Sequence, residues 1–374
     1  MIYIIEENID RMGGVERIVS ILANYFINKN SVKVVSMYSN NNGSFFEYNK
    51  NIYKEYLYKK CNSRNKFVNK ANFIFKLRKK IKDFCSNLKD SDIIIFGRVS
   101  VAIKFLPYIK INATIIVRDA INIHNHSKIV KIRMQKYFPT KVKTFIVSSN
   151  ESLNEYRKFF GKKDLNMTKI YNPIGIIPKV QYNYNNKIII SVGRYDYQKG
   201  FENLIKAFKL VSNEYPEWNL KIIGDGPLKI EYENLIKKMQ LSEKVELLHS
   251  SKNIENILCK SSIFVMTSRF EGYANALVEA LACGIPSISY NWLTGVDEIL
   301  NDNNGIIVEL KDRKNYYKGI DNFEDIKKLS QAIIKLIDNP DACNRKSEFA
   351  RQIVESRNVN TILSKWEREL NLVD

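Results

Sequence analysis

Two kinds of hydrophobic pattern alternate along this chain. Short apolar runs rich in β-branched residues predict buried strands, and segments with an apolar residue at every third or fourth position predict amphipathic helices. The predicted strands are residues 2–5, 32–37, 93–96, 114–117, 144–147, 187–192, 220–223, 245–248, 263–267 and 287–289. The clearest helices are residues 15–27, 201–213 and 228–239. Strands that alternate with helices in this way predict an α/β fold with parallel, doubly wound sheets.

The alternation is interrupted near residues 171–174, where Asn172 and Pro173 give the composition of a hinge. A chain of 374 residues is long for one domain and comfortable for two. We therefore expect an N-terminal domain over residues 1–172 and a second domain over residues 173–355. Residues 356–374 contain a predicted amphipathic helix with Trp366, which we expect to pack back on the first domain.

The net charge of +19 supports the same division, because it is unevenly distributed. Residues 1–172 contain 32 Lys and Arg against 13 Asp and Glu, whereas the remainder contains 27 of each kind. The whole excess of positive charge therefore belongs to the first half. Such a basic half implies an anionic partner, which could be a membrane surface, a phosphorylated acceptor or a nucleic acid.

The cysteines and the N-terminus favour a cytoplasmic protein. The five cysteines are an odd number without a C-x-x-C pair, which argues against a disulfide framework and against a structural zinc site. The first apolar run has no basic residues before it, so we interpret it as a strand and not as a signal peptide. No apolar stretch approaches the ~20 residues of a membrane-spanning helix.

The most informative segment contains two carboxylates eight positions apart, Glu271 and Glu279. A buried strand precedes Glu271, and an apolar helix begins between the two acids. Because the positive end of a helix dipole favours a diphosphate, the acids could hold hydroxyls on either side of it, one on a sugar and one on a ribose. The alternative is a surface loop with two solvated glutamates.

Other polar residues follow predicted strands, at the edge where open α/β sheets bind ligands. Arg194 and Lys199 follow the strand at 187–192. The forked guanidinium of an arginine and the compact ammonium of a lysine together suit a diphosphate. Two solvated loop cations would give the same pattern. Gly224 opens the turn Gly-Asp-Gly-Pro after the next strand. Gly13 and Gly14 separate the first strand from the first helix and would let a ligand approach the backbone, or simply form a turn.

In the first half, the best-placed polar cluster follows the strand at 114–117. It comprises Arg118, Asp119, His124 and His126, which we expect to face the second half across a cleft. The histidines could be catalytic, could bind a metal or could be ordinary loop residues. A metal would need a third and a fourth ligand, and no obvious candidates lie nearby.

Two basic segments with interleaved apolar residues also lie in the first half. Residues 59–82 are rich in Lys and Arg, and residues 68–84 fit a basic amphipathic helix of the kind that lies on an anionic membrane. Residues 128–143 have a similar character. The alternative is an ordinary solvated helix face in a lysine-rich protein.

Together these features resemble glycosyltransferase family 4, whose members are retaining enzymes of the GT-B fold, over nearly the whole chain. The motifs that carry the resemblance are Gly13-Gly14-Val15-Glu16-Arg17, Gly193-Arg194 with Lys199-Gly200, Gly224-Asp225-Gly226-Pro227, the E-x7-E pair Glu271 and Glu279, Thr294-Gly295 with Glu298-Ile299, and Asn304-Gly305. There are departures. Ala274 stands where the family often has Pro or Gly, and Val296-Asp297 replace a usual Pro-Ser. Arg118, Asp119 and Ala120 occupy a region where many relatives carry a histidine.

The resemblance implies two Rossmann-like domains facing across a cleft, an acceptor domain and a donor domain. It implies transfer of a sugar from a nucleotide sugar, with a UDP-sugar favoured, with retention and without a metal ion or other cofactor. The residues it implies for the donor are Gly13, Gly14, Arg194, Lys199, Gly224, Glu271, Gly272, Tyr273, Ala274, Asn275, Ala276 and Glu279. Catalytic roles fall to Glu271, Arg194, Lys199, Asp119 and His124, and acceptor binding to Arg118, Asp119 and His124.

The basic first domain and the resemblance together favour a saccharide acceptor linked to a polyprenyl diphosphate, at the inner face of a bacterial plasma membrane. A GDP-sugar donor, or a protein or teichoic-acid acceptor, remains an alternative. A non-catalytic sugar-nucleotide binding protein is a further alternative, but such a protein should have lost Glu271, Arg194 or Lys199. A nucleic-acid partner would explain the charge but not the ordered motifs, and no nucleic-acid module is recognisable.

Overall fold

Two parallel sheets organise the chain in a computed structural model that describes residues 1–39, 43–59, 68–119, 121–174, 181–251, 253–292 and 295–372. Ala120, Thr294 and residues 60–67 of the predicted basic segment lie outside the described residues. The strands are β1 (Ile2–Glu6), β2 (Val32–Ser39), β3 (Tyr53–Lys59), β4 (Ile93–Phe96), β5 (Thr114–Arg118), β6 (Thr144–Val147), β7 (Asn166–Lys169), β8 (Ile188–Val192), β9 (Asn219–Ile223), β10 (Val245–Leu248), β11 (Ile263–Met266), β12 (Ser287–Tyr290) and β13 (Gly305–Val308).

The helices connect consecutive strands, and four more follow the last strand of the second sheet before the C-terminal helix. They are α1 (Gly14–Phe26), α2 (Val68–Ser86), α3 (Val99–Phe105), α4 (Lys128–Lys141), α5 (Asn150–Phe160), α6 (Phe201–Glu214), α7 (Lys229–Lys238), α8 (Ile254–Leu258), α9 (Asn275–Ala282), α10 (Arg313–Tyr317), α11 (Phe323–Ile337), α12 (Pro340–Arg351), α13 (Ile353–Arg357) and α14 (Val359–Leu370). Among the described residues, no helix combines the length and the apolar character that crossing a membrane requires.

The chain forms two units. The first unit comprises Met1–Pro173 together with Val359–Asp374, and the second comprises Ile174–Asn358. The strand order is β3-β2-β1-β4-β5-β6-β7 in the first sheet and β10-β9-β8-β11-β12-β13 in the second, and the neighbouring strands pair in parallel. Both orders contain the doubly wound Rossmann arrangement. The predicted fold class of two Rossmann-like α/β domains is confirmed.

Both faces of the first sheet are covered by helices, because its strands are apolar on both sides. On one face, residues of α2, α3, α4 and α5 share a hydrophobic core that includes Ile81, Phe105, Met134 and Phe160. On the other face, α1 packs beside α14, whose Trp366 lies in the same core. The two basic helices α2 and α4 therefore lie on the same face of the first sheet.

The second sheet is covered in the same way. One face carries α6, α7 and α11, whose apolar residues share a core with Trp218. Leu329 of α11 belongs to this core. The other face carries α8 and α9, where Leu258, Leu277 and Leu281 form a separate core. Successive connections leave β8 and β11 towards opposite faces, so the carboxyl ends of these two neighbouring strands form the switch point of the strand order, which we call the opening of the sheet.

Candidate functional site

The two loops at the opening of the second sheet carry half of the predicted donor residues. Residues 193–200 follow β8, and residues 267–274 follow the adjacent strand β11. This is the switch point of the strand order, the place where open α/β sheets bind ligands. The topology therefore brings the loop of Arg194 and Lys199 beside Glu271, which lies 72 positions after Lys199.

Lys199 and Glu271 form an ion pair between the two loops. Lys199 Nζ lies 2.6 Å from Glu271 Oε1, and the side chains are 17% and 7% exposed. Gln198 Nε2 donates to Glu271 Oε2 at 3.2 Å and to the carbonyl of Phe270 at 2.9 Å. The carboxylate of Glu271 is thus held on both oxygens, which fixes its orientation before any ligand binds.

Glycines make room for this pair. A Cβ at Gly193 would lie 2.8 Å from Lys199 Cε, so the aliphatic part of the lysine occupies the space that a side chain would fill. Gly200 has φ of +59°, and a Cβ there would lie 2.6 Å from the carbonyl oxygen of Thr267. Thr267 Oγ1 donates to the carbonyl of Lys199 at 3.0 Å, which ties the two loops together.

Arg269 anchors the loop that leads to Glu271, a role that the sequence analysis did not foresee. Its side chain is buried, pairs with Glu202 and with Asp321 at 2.9 Å, and donates to the carbonyl of Tyr316 at 2.9 Å. The guanidinium also lies 4.6 Å from the ring centroid of Tyr316. A basic residue directly after a buried strand was the only sequence signal for this anchor.

Arg194 differs from Lys199 in its exposure. Its side chain is 71% exposed and pairs with Asp196 at 2.5 Å, two positions along the same loop. An exposed ion pair of this kind contributes little stability, because solvent screens it. Arg194 is therefore positioned at the opening without being part of the fold's packing.

The glycine turn after β9 lies against the loop after β8. A Cβ at Gly224 would lie 1.8 Å from the carbonyl oxygen of Gly193, so the two backbones touch. Asp225 accepts a hydrogen bond from the backbone N–H of Ser250 at 3.0 Å and interacts with His249 Nδ1 at 2.6 Å. Although desolvation opposes it, hydrogen bonding from Ser250 and His249 lowers the pKa of Asp225. These contacts hold the turn after β9 against the residues that follow β10.

The loop from Gly272 to Ala274 leads into α9. The segment Gly272, Tyr273, Ala274, Asn275 and Ala276 is buried or half-buried, and Glu279 is half-buried one turn into the helix. The N-cap residue of α9 is Ala274, whose side chain makes no capping hydrogen bond.

Tyr273 is held from elsewhere in the second unit. The Tyr273 hydroxyl accepts a hydrogen bond from Arg357 Nε at 2.9 Å, and Arg357 Nη2 also donates to the carbonyl of Glu298 at 3.2 Å. This contact links the loop before α9 to the last turn of α13.

In the first unit, Gly13 and Gly14 begin α1, as predicted. Gly13 is the N-cap residue with extended backbone, and a Cβ there would lie 2.2 Å from Glu16 Oε2. Arg98, at the end of β4, bridges Glu16 at 2.7 Å and Glu6 at 2.5 Å. Burial raises the pKa of Glu6 to about 7. The hydrophobic pattern gave no sign of this cluster beyond the positions of Glu6 and Arg98, each shortly after a predicted strand.

The predicted first-unit cluster is divided by the structure. Asp119 is buried, accepts a hydrogen bond from the Tyr156 hydroxyl and lies 3.2 Å from His126 Nε2. His124 is instead exposed and lies 2.9 Å from Glu155 Oε1.

Arg118 is also buried and donates to the Asn172 side-chain oxygen at 2.6 Å. The buried groups around Arg118 and Asp119 thus stabilise the loop after β5, and the catalytic and acceptor roles of these residues stay predictions.

Comparison with known proteins identifies the second unit. Residues 176–353 match the family described as Glycosyl transferases group 1. An uncharacterized glycosyltransferase of Haemophilus influenzae is 25% identical over 365 residues, 96% of this chain and 96% of that protein. The amylovoran biosynthesis glycosyltransferase AmsD of Erwinia amylovora is 27% identical over 321 residues, 81% of this chain and 84% of that protein.

Solved structures share the fold. HepE of Anabaena, crystallised with UDP and glucose, superposes with a TM-score of 0.77 at 16% identity and covers 100% of both chains. The chain therefore has the architecture of GT-B proteins, and residues 176–353 match the glycosyl transferases group 1 family. The predicted resemblance to glycosyltransferases is confirmed at this level, whereas family 4 and retention stay predictions.

Proposed function

We propose that this chain is a retaining glycosyltransferase of bacterial polysaccharide or glycan assembly. It transfers a sugar from a nucleotide sugar, with a UDP-sugar favoured, to a lipid-linked or cell-surface saccharide. The observation that carries the proposal is the Lys199–Glu271 pair at the switch point of a group 1 domain. The complex of HepE with UDP and glucose and the role of AmsD in amylovoran biosynthesis support the donor and the pathway class by similarity.

The proposed chemistry follows from the charges at the opening. A glycosyl transition state is oxocarbenium-like, and the leaving diphosphate gains negative charge as the glycosidic bond breaks. Lys199 and Arg194 would stabilise that charge, which is usually the largest single contribution to catalysis. Glu271 would bind a sugar hydroxyl close to the reacting carbon, and Glu279 would bind the ribose hydroxyls. In this proposal the two cations replace a metal ion.

A donor screen by thermal unfolding tests the donor half of the proposal. UDP-glucose, UDP-N-acetylglucosamine, UDP-galactose, GDP-mannose and ADP-glucose are compared at equal concentration. A ligand at 100 times its dissociation constant should stabilise the fold by about 2.7 kcal/mol. We expect a UDP-sugar to give the largest shift, and Glu279→Gln to reduce it. Stabilisation by GDP-mannose alone would favour the alternative donor, and no response to any nucleotide sugar would overturn the proposal.

The acceptor half of the proposal includes contact with an anionic membrane through the first unit. On α2, Ile74 and Phe75 are exposed among lysines and arginines, and on α4 the same is true of Ile129 and Ile132. Both helices lie on one face of the first sheet. A basic protein surface with exposed apolar side chains suits a membrane with anionic headgroups. Each Lys or Arg near such a membrane contributes about 1 kcal/mol to the binding free energy.

Vesicle sedimentation tests this contact. We expect binding to vesicles of phosphatidylglycerol and phosphatidylcholine that falls steeply with salt, and little binding to phosphatidylcholine alone. The double variant Lys131→Glu/Lys136→Glu on α4 should weaken binding at least tenfold. Lys237→Glu/Lys238→Glu on α7 is the matched control, with the same charge change in the second unit, and should bind like the wild type. Equal binding by both variants would exclude the α4 surface.

A further inference from the structure

The first sheet has its own switch point, between β1 and β4. The connection after β1 leads to α1 on one face, and the connection after β4 leads to α3 on the other face. Glu6 is the last residue of β1, and Arg98 lies two positions after the end of β4, at the N-cap of α3. The opening at this edge is therefore equivalent to the one that holds Lys199 and Glu271 in the second sheet.

Two buried carboxylates hold the guanidinium of Arg98 at this opening. Glu6 is fully buried and Glu16 is 4% exposed, whereas the Arg98 side chain is 23% exposed. Arg98 Nε lies 2.5 Å from Glu6 Oε1, and Arg98 Nη2 donates to Glu16 Oε1 at 2.7 Å. Gly13 and Gly97 leave space for the carboxylates, because a Cβ at either position would lie within 2.3 Å of a carboxylate oxygen.

The remaining donors of Arg98 are available to a ligand. Among the described residues, none accepts a hydrogen bond from Arg98 Nη1. Arg98 Nη2 donates to Glu16, whereas Nε lies close to Glu6 without the geometry of a hydrogen bond. Because the guanidinium is a rigid planar fork, these two contacts also set the direction of Nη1. An ion trio with two buried carboxylates is costly to desolvate, and such clusters at sheet openings are typical of functional sites.

We propose that Arg98 is a contact residue for the acceptor saccharide, with Nη1 donating to a sugar hydroxyl at the opening between β1 and β4. This inference rests on the proposed function and adds a binding residue to it. The buried acids Glu6 and Glu16 are positioning residues that orient the guanidinium.

The local charge favours an uncharged polyol over a phosphate. Glu16 balances the charge of Arg98, and Glu6 adds negative charge as it ionises near neutral pH. The trio therefore carries no net positive charge with which to attract an anion. A sugar hydroxyl needs only a directed donor, which this arrangement provides.

Kinetics of Arg98 variants test the proposal. The donor is the nucleotide sugar found in the thermal screen, and the acceptors are octyl glycosides of glucose, galactose and N-acetylglucosamine. Arg98→Lys keeps the positive charge beside Glu6 and Glu16 but loses the fork. Arg98→Ala removes both. Arg157→Ala, an exposed arginine on α5, is the matched control.

We expect Arg98→Lys and Arg98→Ala to raise the KM for the glycoside at least tenfold. The KM for the donor and the slow hydrolysis of the donor without acceptor should stay within about twofold of wild type. Arg157→Ala should match the wild type throughout.

Other outcomes separate the inference from the proposed function. An unchanged acceptor KM in Arg98→Lys would show that the inference is wrong. The same conclusion follows if the donor KM and donor hydrolysis change as much as the acceptor KM does. In both cases the proposed function stands. A wild-type protein that transfers no sugar to any glycoside, yet hydrolyses the donor, would overturn the inference. A wild type that neither binds nor hydrolyses a nucleotide sugar would overturn the proposed function as well.

Discussion

At the scale of single residues, the two cations of the second unit have different structural roles. Lys199 is mostly buried against Glu271, whereas Arg194 is exposed and, among the described residues, pairs with Asp196 alone. Both would face the same diphosphate in the proposed reaction. Substitution can therefore separate the contribution of each side chain to catalysis from its contribution to folding.

We expect Lys199→Ala to lower both turnover and stability. The variant leaves the Glu271 carboxylate without its cation, at a cost of about 1–3 kcal/mol in the free energy of unfolding. Arg194→Ala should leave stability within about 0.5 kcal/mol of wild type, because exposed pairs contribute little. Turnover should fall in each by roughly 10²–10³-fold, the usual cost of losing one charge-stabilising donor.

Urea unfolding and steady-state kinetics measure the two effects separately. Lys238→Ala, an exposed lysine on α7, provides the control and should change neither quantity. Wild-type turnover in both Lys199→Ala and Arg194→Ala would show that the cations do not bind the leaving group.

Glu6 should make the stability of the first unit depend on pH. Burial raises its pKa from 4.5 to about 7, although Arg98 opposes the shift, and Glu16 and Glu7 add to it. A raised carboxyl pKa stabilises the folded state most at low pH. The contribution is complete below about pH 4.5 and is lost as the pH rises through about 7.

The variant Glu6→Gln should remove this dependence. One pKa unit corresponds to about 1.4 kcal/mol, so wild type should lose up to about 3 kcal/mol relative to Glu6→Gln between pH 4.5 and pH 8. Urea unfolding at several pH values measures the difference between the two proteins, and exposed Glu47→Gln is the control. Parallel pH profiles for wild type and Glu6→Gln would contradict the assignment.

At the scale of elements, the loop before α6 depends on a glycine in a left-handed conformation. Gly200 has φ of +59° and lies against Thr267 and Tyr316, so the loops after β8 and β11 touch where a side chain would be. The backbone conformation and this close approach both exclude other residues. The position of Lys199 relative to Glu271 depends on that approach.

Gly200→Ala should therefore destabilise the second unit by more than backbone strain alone. Left-handed backbone costs a residue with a Cβ about 1–2 kcal/mol, and the clash should add about 1–3 kcal/mol. Gly43→Ala is the matched control, because Gly43 has φ of +70° and, among the described residues other than its chain neighbours, no atom lies within 4 Å of the place that a Cβ would occupy. Equal losses of unfolding free energy in the two variants would show that the loops can separate without cost.

The strands that the hydrophobic pattern did not predict are polar or at an edge. β3 and β7 form the two edges of the first sheet. β3 has the sequence Tyr-Lys-Glu-Tyr-Leu-Tyr-Lys, and β7 is Asn-Met-Thr-Lys. An edge strand pairs on one side only and needs no continuous apolar run, so hydrophobic periodicity does not detect it. The central strands β1, β4, β5 and β6 are apolar on both faces and were predicted within one or two residues.

At the scale of the complete chain, the polypeptide leaves the first unit after Pro173 and returns to it at Val359. The returning helix α14 completes one face of the first sheet. Trp366 is 1% exposed in the core that also contains Ile4, Ile18 and Ile95. The hydrophobic core on this face of the first sheet is therefore complete only when α14 packs against it.

We expect Trp366→Ala to destabilise the first unit selectively. Truncating a buried tryptophan typically costs about 3–5 kcal/mol. Amide hydrogen exchange should accelerate in β1 and β2 while β8 and β9 keep wild-type protection. The exposed neighbour Arg368→Ala should have no measurable effect. Acceleration confined to β8 and β9 would contradict the packing of α14.

The class of fold and most of the second-unit residues could be predicted from the sequence alone. Apolar runs and helical periodicity indicate directly which segments are buried. Lys199, Glu271 and Gly224 each follow a strand, and ligands of open α/β sheets bind at the carboxyl ends of the strands. The basic excess of the first half is also a property of the sequence. These features are local, so they can be recognised without knowing which strands are neighbours.

Which side chains meet was settled only by the way the chain folds. Strand order placed β8 beside β11 and β1 beside β4, which joined Lys199 to Glu271 and Arg98 to Glu6. The fold also buries Asp119, which accepts a hydrogen bond from the Tyr156 hydroxyl. Such contacts depend on the pairing of distant segments, because a charge is buried or exposed according to what packs against it, and spacing along the chain does not contain that information.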